Sequence, residues 1–197
     1  MKHIKFIFVN EHAWWHKPIS ETILKLSHSD KDFAVHMAIW FSEVDDEIKE
    51  RHLENVVFEA VEPNVMFDND GNKYDDETCK YTFDLEVEDD VYQLAVDAAL
   101  RLEGMPYGLL SDCLAIAIKD NTDGHKDYTK QLGCNNTAIC SEVGSRILHN
   151  MFPDFGVQAD GTLVDFDTTS PCDAYHLLED YIAAHPESVN VLSAQEG

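Results

Sequence analysis

The sequence predicts an α+β fold in which an antiparallel sheet packs against helices. Three observations carry that reading. Strand-like segments gather in the first half of the chain and helix-like segments in the second. Residues 33–41 (FAVHMAIWF) form an almost unbroken apolar run, rich in β-branched and aromatic residues, as in a strand buried on both faces. Tyr81, Phe83, Leu85 and Val87 alternate with polar residues, the period of a half-buried strand.

The elements follow in order. Lys5–Asn10 reads as a first strand. Pro18 stands at a helix start with Glu21 in its first turn, and Ile19, Ile23, Leu24 and Leu26 follow at roughly helical spacing. Lys31 and Asp32 close a polar loop before the apolar strand Phe33–Phe41. Asn55–Ala60 and Asn64–Phe67 read as the next strands, and Asp70-Gly71 as a hairpin turn. An amphipathic helix starts at Glu88–Asp90 and carries Val91, Leu94, Ala95, Ala98, Ala99 and Leu102. Its first turn is acidic, as the helix dipole favours, and Gly104 and Pro106 stop it. Leu109–Ile118 is a further helix, Asp120–Gly124 a loop, Thr137–Met151 a strong helix, and Asp173–His185 a last helix behind Ser170-Pro171. No repeat, low-complexity tract or linker divides the chain, so residues 1–197 read as one domain.

Charge excludes several function classes. The 38 acidic and 14 basic residues give a formal charge of −24. That repels phosphate backbones and anionic membrane surfaces, so neither nucleic acid nor stable membrane association is expected. No stretch has the length of a membrane span, and the apolar run after Met1 is too short for a signal peptide, which points to the cytoplasm. The five cysteines, Cys79, Cys113, Cys134, Cys140 and Cys172, are odd in number and irregular in spacing, as free thiols are. No CxxC occurs, and no metal or organic cofactor is expected.

The most informative segment is Asn135–Val143. Asn136 or Thr137 can cap the following helix, leaving Cys140 in its first turn. A helix N-terminus presents unpaired N–H groups and partial positive charge, which favour a thiolate and an oxyanion alike. The plain alternative is that Cys140 is a small core residue on one face with Val143, Gly144, Ile147 and Met151. His36 lies inside the apolar strand, where an imidazole must be hydrogen-bonded or functional. Glu59 is an acid within the otherwise apolar VVFEA and needs a partner too, unless it sits at a strand end facing water. A nucleophilic cysteine needs a base, and the base a third residue to orient it.

These words occur in the order HMAIWF, VVFEA, GMPYG, ICSEVGSRIL and TTSPCDAYHLL. The combination resembles the permuted papain-like amidases, the YiiX/YaeF-like cysteine hydrolases related to NlpC-type cell-wall peptidases, over residues 33–180. In that branch the histidine strand precedes the cysteine helix. His36–Ile39 is similar to its histidine word, Cys140–Val143 to its nucleophile word, Pro106-Tyr107-Gly108 to its tyrosine word, and Ser170–Asp173 to the word opening its last helix. The resemblance implies a circularly permuted papain-like fold and a cysteine hydrolase acting on an amide or ester, with a small-molecule, peptide or lipid substrate. Cys140 would be the nucleophile, His36 the base and Glu59 its orienting acid, and Tyr107 would line the site or assist the oxyanion. The family places Ser before the histidine, where this chain has Val35. His28 keeps a preceding Ser27 and is a rival base, but His36 is preferred because the apolar strand follows it directly. The acidic segment Asp68–Glu77 looks like an insertion.

Other features are weaker. Asp68–Asn72 imitates a calcium loop, but Lys73 stands where glycine belongs and Cys79 where the bidentate Glu belongs. His12 and His16 flank Trp14 and Trp15, yet Pro18 weakens a continuous helix there. The second function class is a non-catalytic acidic interaction protein, either a nucleic-acid mimic or a papain-like domain that only binds. The oligomeric state is open.

Overall fold

The computed structural model describes residues 1–9, 34, 36–61, 63–74, 79–108, 138–186 and 190–196, with backbone alone for 79–80 and 190–196. The described residues form six strands: β1 Lys2–Val9, β2 His36–Asp46, β3 Arg51–Val61, β4 Asn64–Asp68, β5 Cys79–Val87 and β6 Asn190–Glu196. Three α-helices among the described residues follow or interleave them: α1 Asp89–Leu102, α2 Cys140–Met151 and α3 Pro171–Ala184. The strands form one antiparallel sheet in the order β4-β3-β2-β1-β5-β6, so the chain is α+β.

The central strands are buried on both faces, as the apolar run implied. Ile4, Phe6, Phe8, Ile39, Phe41 and Phe58 belong to the main core, which α1, α2 and α3 complete with Tyr92, Ala95, Val143, Ile147 and Leu178. Alternation sends Ile7, Val9, Ala38 and Val57 to the opposite face, where they meet Tyr74 and Trp40 in a second cluster. Val9, the last residue of β1, lies directly opposite His36, the first of β2.

Several expectations need correction. Strand β2 runs on to Asp46, because Val44 and Asp46 continue the buried alternation and the chain then turns tightly into β3. Asp70-Gly71 does not close a hairpin. β4 pairs with β3, whereas β5 pairs with β1 on the other side of the sheet, so the segment between them is a crossover. Leu94 is 44% exposed, and Tyr92 and Val96 take the buried face of α1. Helix α2 starts three residues later than Thr137, at Cys140, with Ile139 as a cap that offers no side-chain bond. Helix α3 begins at Pro171 behind a capping box formed by Ser170 and Asp173. Strand β6 was not foreseen.

The expected helix near Pro18–Leu26, the segment Leu109–Ile118 and loop Asp120–Gly124 lie outside the described residues. So do His12, Trp14, Trp15, His16, His28, Cys113, Cys134, Asn136 and Thr137. No helix among the described residues is long and apolar enough to cross a membrane.

Candidate active site

Three of the four residues singled out in the sequence form one buried chain. His36 and Glu59 share the second face of the sheet, since Ala38 lies opposite Glu59 and His36 is two residues further along. This diagonal is within reach of long side chains. His36 Nε2 and Glu59 Oε2 are 2.9 Å apart, and both side chains are fully buried. Glu59 therefore does not face water.

Cys140 is the first residue of α2 and closes on His36 from the helix side. A hydrogen bond and the charge of each act on the other, and main-chain N–H groups of Met37 and Ser141 donate toward the sulfur. Glu59 holds Nε2, which leaves Nδ1 as the ring nitrogen for the thiol to reach. Gly144, one turn into α2, makes this approach possible. A Cβ there would lie 2.3 Å from Met37 Sδ and Cε, so the helix and β2 meet at a glycine.

The electrostatics are those of an ion pair. Burial works against charge on His36, but the Cys140 thiolate and the hydrogen bonds to Cys140 and Glu59 outweigh it and push the imidazole up to about 10. Burial likewise raises Glu59, but hydrogen bonds from His36, Lys73 and Tyr74 and the imidazolium charge pull it down to about 2. Burial would raise the Cys140 thiol, yet the His36 charge and hydrogen bonds hold it below the usual thiol range. Proton transfer within the pair gives thiolate and imidazolium.

Tyr107 is placed by its backbone. It forms a parallel bridge with Ala138, its N–H donates to the Pro63 carbonyl at 2.9 Å, and the Gly108 N–H donates to the Ala138 carbonyl at 3.1 Å. It thus flanks the strand-like stretch two residues before Cys140, with its half-buried side chain against the main core. The start of α3 is tied in as well. Cys172 Sγ lies 3.4 Å from both the N and the O of Ala34, two residues before His36.

Sequence reasoning missed Lys73 and Tyr74. Tyr74 Oη donates to Glu59 Oε2 at 2.5 Å, and Lys73 Nζ donates to Glu59 Oε1 and, at 3.0 Å, to Asp68 Oδ2. The Tyr74 and His36 ring centroids are 6.1 Å apart. Both residues sit in the acidic segment read as an insertion, and nothing local to it marks them. Only the crossover over the second face delivers them to Glu59. Among the described residues, no group of three His, Cys, Asp or Glu side chains is arranged to hold a metal ion.

Comparison with family models, with curated proteins and with solved structures finds no match for this chain.

Proposed function

We propose that the protein is a cysteine hydrolase of the permuted papain-like kind, cleaving an amide, ester or thioester through an acyl-enzyme. The observation that carries the reading is the continuous buried chain from Cys140 at a helix N-terminus, through His36, to Glu59. A merely structural cysteine needs neither a charged imidazole nor a carboxylate behind it.

In this reading the Cys140 thiolate attacks the substrate carbonyl carbon, forming a C–S bond and an oxyanion. N–H groups of the first turn of α2 point out of the helix end and stabilise that oxyanion. The imidazolium of His36 gives its proton to the leaving amine, alcohol or thiol as the C–N, C–O or C–S bond of the substrate breaks. His36, now neutral, takes a proton from water, whose oxygen attacks the thioester. Collapse releases the acid and returns the proton-sharing pair. Glu59 keeps the ring oriented and stabilises its charge throughout. Peptides and acylated compounds, cell-wall peptide among them, have the required carbonyl.

The test is alkylation by iodoacetamide across pH, with peptide mapping. Cys140 is expected to react fastest of the five cysteines near neutral pH, and His36→Ala to slow it. Equal reactivity of all five, or no effect of His36→Ala, sinks the proposal in favour of a binding module.

A further inference from the structure

The crossover between β4 and β5 brings two side chains to the site that the steps above do not use. Lys73 and Tyr74 donate to the two oxygens of Glu59, whose third donor is His36. Glu59 is 1% exposed and Tyr74 9%. We propose that Lys73 and Tyr74 are positioning residues that set the proton balance of the Cys140–His36 pair through Glu59. The inference rests on the hydrolase reading and deepens it.

The two act differently. Tyr74 shares Oε2 with His36 Nε2, so the two donors divide one oxygen. That division fixes the carboxylate's rotation and weakens its pull on the imidazole proton. Lys73 acts by charge. With the pair ionised, Cys140 and Glu59 each carry a negative charge, and His36 and Lys73 each a positive one. The set is then neutral, with Lys73 half-buried and Asp68 at its half-exposed rim. Without Lys73 it carries a net negative charge where water cannot screen it, and every protonated form in it gains. Gly71 lets the crossover lie this low. A Cβ there would come within 2.2 Å of the Asn55 carbonyl oxygen, so the turn before Lys73 rests on β3 backbone.

The experiment is the pH dependence of Cys140 alkylation by iodoacetate, read by peptide mapping. The acid limb reports thiol ionisation. The alkaline limb reports loss of the imidazolium that attracts the anionic reagent. Lys73→Met is expected to move both limbs up by about one pH unit, a roughly tenfold slower reaction on the acid limb. Lys73→Arg is expected to leave both within about 0.3 unit, since it keeps the charge. Tyr74→Phe, which removes only an oxygen, is expected to raise the alkaline limb alone. It keeps the test decisive if Lys73→Met does not fold. Folded variants with unmoved limbs overturn the inference and leave the hydrolase reading standing. A wild-type profile lacking the low acid limb overturns both.

Discussion

Ser141, the residue after the candidate nucleophile, donates its hydroxyl hydrogen to the main-chain oxygen of Thr169 at 2.6 Å, and both residues are fully buried. The bond ties the first turn of α2 to the turn that leads into α3. Ser141→Ala leaves the Thr169 carbonyl without this donor. It is expected to lower unfolding free energy by about 1–3 kcal/mol in urea titrations. A loss under about 0.5 kcal/mol would mean that the carbonyl finds another partner.

Glu59→Gln preserves shape and removes charge. The imidazolium loses its buried counter-ion, so the His36 proton is held less tightly and less thiolate exists at neutral pH. Alkylation of Cys140 at pH 7 is expected to fall by about tenfold, the consequence of a shift of about one unit. An unchanged rate with the protein folded would remove Glu59 from the chain of proton-holding groups.

Gly144→Ala places a methyl group against Met37, which is 1% exposed and lies beside His36 in β2. Overpacking of this kind costs about 1–3 kcal/mol. Met37→Ala opens space at the same contact, so the double variant is expected to be more stable than the sum of the two single losses predicts. Strict additivity in a double-mutant cycle would show that the helix and strand do not meet at this pair.

The ionised pair also sets a pH window for stability. His36 is raised from 6.5 to about 10, so its contribution is complete below 6.5 and is lost as pH rises through about 10. Cys140 is lowered from 9.0, so its contribution is complete above 9.0 and is lost as pH falls through the lowered value. Between 6.5 and 9.0 the unfolded chain binds one proton on the thiol and the folded pair binds one on the imidazole, so the two trends cancel. The difference in stability between wild type and His36→Gln/Cys140→Ser is expected to be flat there, declining on either side. Urea midpoints measured from pH 5 to pH 10.5 check it, and a steady slope through pH 7–8 would contradict the ion pair.

Much of this arrangement was legible because it lies in local pattern. The run around His36 declares a strand buried on both faces, and an imidazole inside it demands a partner. Glu59 stands out for the same reason. The start of α2 was misplaced because the structure caps it with Ile139, which carries no capping side chain. Strand order was not legible at all. The Asp70-Gly71 turn looks local, but three strands lie between β4 and β5, and which strands pair depends on long-range burial rather than turn chemistry. Lys73 and Tyr74 were lost with it, since their importance arises only from where the crossover passes.

The pairing of Val9 with His36 sets the end of β1 and the start of β2 at one point of the sheet, at the imidazole. The bond from the Gly108 N–H to the Ala138 carbonyl likewise joins two points of the chain two residues before Cys140. Both junctions thus sit at the chemistry. A one-residue slip of β2 against its neighbours would carry the imidazole to the other face of the sheet, so strand register and the position of the reacting groups are selected together.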